Sequence, residues 1–320
     1  MPLADPILKD RFLGCLLGLA IGDALGGKFE AQSADAIRAR FPTTKSLITY
    51  PQEEIWYTDD TQMAIGVAET LVARGEIIEE ELCKAFVANY VPSRGYGRGA
   101  RAILDAMEDG RDHHQVAEQY FPGGSYGNGA AMRVAPVGLL FREDRRQLWE
   151  QVRLSALPTH CHPLGIEGAQ LLALAVALAS QAERFDRTAF FTELLAACQS
   201  DSYRARIEQA ATIRSPDELA RLGNGIEAVE SVPTAIASFA LTPDSFEATI
   251  SHVIFLGGDT DTLAAMAGAL SGAYLGVARL PQRLLELLEN SPKGCVYLVE
   301  LATHLFAVYQ RGGPEASSKT

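Results

Sequence analysis

Residues 14–27, GCLLGLAIGDALGG, and residues 257–276, GGDTDTLAAMAGALSGAYLG, decide the fold. Glycine recurs at every fourth position, at Gly14, Gly18, Gly22 and Gly26 in the first and at Gly268, Gly272 and Gly276 in the second. A glycine in a helix interior costs about 1 kcal/mol relative to alanine, so seven of them require a compensating contact. Spacing of i, i+4 supplies one, because it lays a smooth stripe on one helix face along which a second backbone can approach closely. The two segments are therefore read as central, tightly packed helices. A membrane dimerisation stripe shares the pattern, but the first segment is too short for one and carries Asp23.

Outward from this pair, long windows rich in Ala, Leu, Glu and Gln carry apolar residues at three- and four-residue spacing, and alternating β-branched runs are nearly absent. This predicts an all-α chain. Helices are expected over roughly 7–24, 60–74, 78–89, 99–109, 129–141, 145–156, 164–182, 187–199, 201–212, 226–239, 245–254, 262–276, 281–290 and 294–310. No Pro- or Ser-rich linker divides the chain, so residues 1–311 are read as one compact helical domain. The polar tail 312–320 is expected to be disordered.

Hydrophobic residues make up 48% of the 320 and charged residues 21%, a profile that supports a full core. The net charge of -12 repels nucleic-acid backbones and anionic membrane surfaces, so neither is an expected partner. An anionic ligand would need a local device: a metal, a helix N-terminus or a nest of backbone amides. The five cysteines are odd in number, scattered and never in a CxxC arrangement, which suggests a reducing cytoplasm rather than a disulfide framework or zinc knuckle. The apolar stretch 12–21 lacks a cationic flank, and the run 171–179 is too short to cross a bilayer.

Two segments resemble distant copies of each other: Thr58-Asp59-Asp60-Thr61 and Asp259-Thr260-Asp261-Thr262, each closing a loop and opening an apolar helix. N-capping explains one Asp or Thr at a helix start. Two carboxylates plus hydroxyls at each start exceed that need, because neighbouring aspartates repel unless a cation or proton lies between them. The set is all oxygen, with no His or Cys, which suits Mg²⁺ or Mn²⁺ rather than zinc. If the two starts face each other, they would hold two ions about 3.5–4 Å apart. Capping alone stays open as the rival reading.

Two glycine loops also precede helices. Residues 95–99, Gly-Tyr-Gly-Arg-Gly, can aim backbone amides at a diphosphate from Gly97 and Gly99, although a plain helix-opening turn uses the same residues. No preceding strand and no following Lys-Ser or Lys-Thr supports a dinucleotide fingerprint or Walker loop. In residues 123–129, glycines that include Gly124 flank Ser125, Tyr126 and Asn128. Tyr126 with Tyr120 or Phe121 could sandwich a purine, while Ser125 and Asn128 supply hydrogen bonds. His160-Cys161-His162 cannot close a tetrahedral metal site alone, so His160 is read as a polar ligand contact.

The runs GCLLGLAIGDALGG, YTDDTQMA, GYGRGA, GSYGNGAAMRVAP and GGDTDTLAAMAGALSGAYLG resemble the ADP-ribosylglycohydrolases in order and spacing, across nearly the whole chain. The resemblance implies an all-α fold with two magnesium ions, held by Thr58, Asp59, Asp60, Asp259, Asp261 and Thr262. Phe29-Glu30-Ala31 and the segment 222–239, LGNGIEAVESVPTAIASF, are similar to the serine-type and poly-ADP-ribose branch, ADP-ribosylhydrolase three, in which a mobile glutamate serves the site. Glu30 takes that role, as general acid and base, with Asp60 and Asp261 as the other catalytic residues. The implied substrate is an ADP-ribose unit on a modified protein, in O-acetyl-ADP-ribose or in the polymer. An arginine-specific hydrolase, a two-metal phosphohydrolase and a non-catalytic ADP-ribose-binding relative are the rivals. The acidic balance disfavours the phosphohydrolase, and the intact carboxylate clusters disfavour the non-catalytic relative.

Overall fold

The structure, a computed structural model, describes residues 3–51 and 53–312. From 313 onward the expected disordered tail lies outside the described residues. The described chain forms α1 (Asp5–Gly26), α2 (Ala34–Arg40), α3 (Thr44–Thr49), α4 (Asp59–Arg74), α5 (Glu79–Asn89), α6 (Arg98–Glu108), α7 (His113–Tyr120), α8 (Gly129–Met132), α9 (Ala135–Leu140), α10 (Arg145–Ala156), α11 (Pro163–Gln181), α12 (Arg187–Ala197), α13 (Asp201–Thr212), α14 (Ala228–Leu241), α15 (Phe246–Ile254), α16 (Thr260–Leu275), α17 (Gln282–Leu287) and α18 (Cys295–Gln310). Three short 3-10 turns complete it, and no strand occurs among the described residues.

Helices α1 and α16 form the centre, and their glycines interlock. A methyl group on Gly14, Gly18, Gly22 or Gly26 would overlap the carbonyl oxygen of Gly272, Gly268, Ala264 or Thr260 respectively. Each step of four forward on α1 matches four backward on α16, so the pair is antiparallel at backbone-to-backbone distance. Both helices are buried on nearly every face, which explains why neither shows an amphipathic pattern. One consequence sets the site: the C-terminus of α1 and the loop after it lie beside the N-terminus of α16, where Thr260 Oγ1 donates to the carbonyl of Gly26 at 2.9 Å.

The other helices wrap this pair, and several differ from the sequence expectation for local reasons. The stretch expected as one helix over 129–141 is two, α8 and α9, because Pro136 has no amide hydrogen and its ring crowds the carbonyl four residues back. Helices α2 and α7 bury one residue each, Ile37 and Ala117, so they carry no readable periodicity, and Ser33 and Asp112 cap them from the side chain. The apolar run at 171–179 extends into α11, 19 residues long and apolar enough to cross a membrane, contrary to the shorter expectation. In this fold α11 is mostly buried within the protein, with Glu167 accepting from the backbone amides of Gln199 and Ser200.

Candidate active site and acidic cluster

At the start of α4 the cap comes from another helix. The Asp23 carboxylate, fully buried on α1, accepts from the amides of Thr58 and Thr61 and from both their hydroxyls, at 2.7 Å for Thr58 Oγ1 and 2.5 Å for Thr61 Oγ1. A carboxylate there also meets the positive end of the helix dipole. Thr58 makes no side-chain cap of its own, so Asp59 and Asp60 are not needed for capping. Capping therefore does not account for the first cluster. At α16 Asp261 does accept from the Thr262 amide, at 2.8 Å, while Asp259 makes no cap hydrogen bond.

The two starts converge: Thr262 Oγ1 lies 3.5 Å from Asp60 Oδ2 although the residues are 202 apart in the chain. Asp60 is 1% exposed and its Oδ1 has no hydrogen-bond partner. Its Oδ2 faces the Thr58 hydroxyl at 3.2 Å, but that hydroxyl's one proton goes to Asp23 at 2.7 Å. A buried carboxylate with one oxygen left without a donor is costly unless it meets a cation or is protonated. Accordingly Asp60 is held well above the ordinary carboxylate range, first by burial and then by Asp23, Asp261, Asp59 and Asp259. Burial, then neighbouring carboxylates, raises Asp59 to about 8, and burial raises Asp23 and Asp259 to about 7, in both cases with an added push from Asp261. The orphaned oxygen and the all-oxygen donor set fit a hard divalent cation. Thr58 fits it too, since a hydroxyl that gives its proton to Asp23 has lone pairs to spare.

Glu30 stands at the end of the loop after α1, exposed, with a carboxylate oxygen within 4.8 Å of oxygens of Asp259 and Asp261. Burial and then Asp261 raise its pKa. The loop is tied down by its backbone: Ala31 N–H donates to Gly258 C=O at 2.9 Å and Gly258 N–H to Gln32 C=O at 3.1 Å. Ala31 takes a left-handed φ of 61°, a strained value for a residue with a side chain.

A cavity of about 400 Å³ opens over the carboxylates. Glu30, Asp59, Asp60, Asp259, Asp261 and Thr262 line one end, and Gly97, Gly99, Phe121, Ser125, Asn128 and His160 line the rest, joined by Arg98 and Ile226. The structure thus brings most of the expected residues to one place. Tyr120 and Tyr126 are not among them: they are 52% and 50% exposed, and Tyr126 lies edge-on to His162 instead. The purine sandwich expected of Tyr126 with Tyr120 or Phe121 therefore lacks its Tyr126 face, and of the three side chains Phe121, seated against Gly99, is the one that lines the cavity. Gly124 does not line it either. Its φ of 92° and the backbone of Cys161 and His162 against its α-carbon make it a packing glycine that seats the loop. Asn128 does line the cavity but spends its amide on Asp259, Nδ2 to Oδ2 at 2.5 Å, so it orients a carboxylate.

Three supporting groups escaped the sequence reading. Asp23 is the lone charge in an otherwise apolar stretch, which was the available signal. Arg94 and Glu289 form a bidentate pair in which Glu289 is fully buried, and both hold the backbone of Tyr57, just before Thr58. Arg133 is buried beneath the cavity with no carboxylate partner, donating to the Ser155 carbonyl and to Thr159 Oγ1, both at 2.9 Å. The Thr159 hydroxyl, which accepts from Arg133, is also hydrogen-bonded with His160 Nδ1, 2.7 Å away. Burial and the nearby Arg133 charge keep His160 neutral, its pKa lowered to about 3. The neutral imidazole keeps one donor and one acceptor nitrogen on the cavity wall.

Comparison with known proteins agrees with this geometry. The family described as ADP-ribosylglycohydrolase matches residues 4–315. ADP-ribosylhydrolase ARH3 of Homo sapiens is 34% identical over 94% of this chain and 94% of its own length. The ARH3 of Xenopus tropicalis is 35% identical over 85% of this chain and 89% of its own. A solved structure of an ADP-ribosylglycohydrolase-related protein complex superimposes with a TM-score of 0.73 at 25% identity, covering 95% of this chain and 99% of that one.

Proposed function

The chain belongs to the ADP-ribosylglycohydrolase family and is an ADP-ribosylhydrolase; on that premise we propose that it cleaves the O-glycosidic bond at the anomeric carbon of ADP-ribose linked to serine, to acetate or to a further ADP-ribose unit. The observation that carries this reading is the buried Asp60 carboxylate, one oxygen of which has no hydrogen-bond partner, lining a cavity together with Glu30, Asp59, Asp259 and Asp261 and with glycine backbone, apolar and polar side chains. Mg²⁺, with Mn²⁺ as substitute, is the cation we assign to Thr58, Asp59, Asp60, Asp259, Asp261 and Thr262, as two ions; when bound, it supplies the positive charge that lets the carboxylates ionise together and polarises oxygens of the ribose.

The chain's own residues then divide the work. Departure of the group on the anomeric carbon builds an oxocarbenium-like charge, which the carboxylates at the closed end stabilise. Glu30, on the rim and with a raised pKa, holds a proton for the leaving oxygen and afterwards takes one from water. Gly97, with open space where a side chain would stand, leaves room for a diphosphate beside the start of α6, where the helix dipole and Arg98 favour negative charge, while Gly99 makes room for Phe121. Phe121 and Ile226 offer apolar surface to the base, and the His160 ring a hydrogen bond.

The test is a turnover panel with serine-linked, arginine-linked, polymeric and O-acetyl substrates. Wild type should release ADP-ribose from the oxygen-linked substrates and not from the arginine-linked one. Glu30→Gln should bind ADP-ribose undiminished while turnover drops by about 10²-fold or more, the usual scale for a positioned acid–base group. Release from arginine alone would refute the proposed linkage.

A further inference from the structure

A second cluster of metal-ligating side chains lies outside the acidic site. Glu79 and Cys83 are one turn apart on α5, so they share a face. His113 and His114 open α7, where Asp112 fixes their backbone by accepting from the amides of His114 and Gln115. Glu79 Oε1 lies 2.8 Å from His114 Nε2 and 3.6 Å from His113 Nε2, and Cys83 Sγ lies 3.8 Å from His113 Nε2. Glu79 Oε1 is buried and satisfies no hydrogen bond with either ring, despite being aimed at both. The four residues line a cavity of about 710 Å³ that shares no residue with the one over the acidic cluster.

We propose that Glu79, Cys83, His113 and His114 form a zinc site that clips α7 onto α5. Their donors are one carboxylate oxygen, one sulfur and two imidazole nitrogens, the mixed set that zinc takes and magnesium does not. Zinc–ligand bonds of about 2.0–2.3 Å in a tetrahedron put neighbouring donors about 3.3–3.6 Å apart. Donor atoms of Glu79, His113 and His114 all lie within 4.8 Å of one another, and Cys83 Sγ approaches from 3.8 Å off His113, so turning the Cys83 side chain toward the other three closes the site. Binding releases the Cys83 thiol proton to solvent. The clip has a structural purpose, because α7 buries little of its own surface and ends at Phe121, the ring on the cavity wall.

Full-length protein stripped with chelator and held in excess Mg²⁺, which occupies the acidic cluster, is titrated with Zn²⁺. One equivalent should bind and raise the Tm. Co²⁺ under the same conditions should give the intense bands of a tetrahedral site together with a thiolate charge-transfer band. Cys83→Ser should lose the charge-transfer band, and His113→Ala/His114→Ala should lose saturable Zn²⁺ binding, with circular dichroism showing both variants folded. No saturable Zn²⁺ binding to wild type, or undiminished binding in the folded double-histidine variant, would overturn the proposal. A cobalt spectrum without a thiolate band would do the same.

Discussion

Asp60 concentrates the chemistry of this protein in one side chain. Its carboxylate is buried and surrounded by other carboxylates, so without a cation it holds its proton far above the usual range. Asp60→Asn should therefore abolish turnover and yet stabilise the chelator-treated protein at pH 8 by about 1–2 kcal/mol, the scale of a buried polar conflict removed. Denaturant midpoints of the two proteins in chelator check this, and a destabilised variant would count against a repulsive cluster. Thr159 works at one remove, through its hydrogen bond with His160. Thr159→Val should raise KM with little change in kcat, and ¹⁵N NMR should show the tautomer balance of the His160 ring shifting. An unchanged ring spectrum would mean that the imidazole is held by other contacts.

At the scale of elements, the contact that matters is α1 against α16. Their antiparallel register brings Asp23 to the start of α4 and the Glu30 loop to the start of α16, so packing between two glycine stripes positions an acidic site that neither helix contains alone. Gly22→Ala places a methyl group on the Ala264 carbonyl and should cost about 1–3 kcal/mol as overpacking, with Mg²⁺ affinity falling as α1 is pushed away. Ser271→Ala is the contrast on α16, because the Ser271 hydroxyl is buried without a partner. It should leave stability unchanged or raise it by up to about 1 kcal/mol. Calorimetric Mg²⁺ titration and thermal melts of the two variants separate these outcomes.

For the whole molecule, the shared burial of the acidic residues becomes a dependence of stability on pH. Asp23, Asp59 and Asp259 rise from 3.8 to about 7, 8 and 7 in the folded, metal-free protein. The folded state then binds more protons than the unfolded chain between those limits, so stability falls as pH rises through the window. His160 and His252 act oppositely, because their folded pKa values drop from 6.5 to about 3 and 4, and they destabilise only below 6.5. Between pH 6.5 and 8 the carboxylates act without that opposition. The Tm of chelated protein should fall across this interval, and Mg²⁺ should flatten the slope by displacing the protons. A chelated Tm that climbs from pH 6.5 to 8 would contradict it.

Local patterns in the chain settled the all-α class, the two glycine-striped central helices, the acidic helix starts and the glycine loop before α6, because each depends on residues within a few turns of one another. Tertiary structure alone decided which acid caps α4, that Asn128 serves Asp259, that Phe121 rather than Tyr120 or Tyr126 faces the cavity, and that Arg133, Thr159 and His160 form one hydrogen-bonded chain. It also gathered Glu79 and Cys83 with His113 and His114 from helices thirty residues apart. Those outcomes turn on the register between distant helices and on the direction each side chain takes from its backbone, and periodicity along the chain encodes neither.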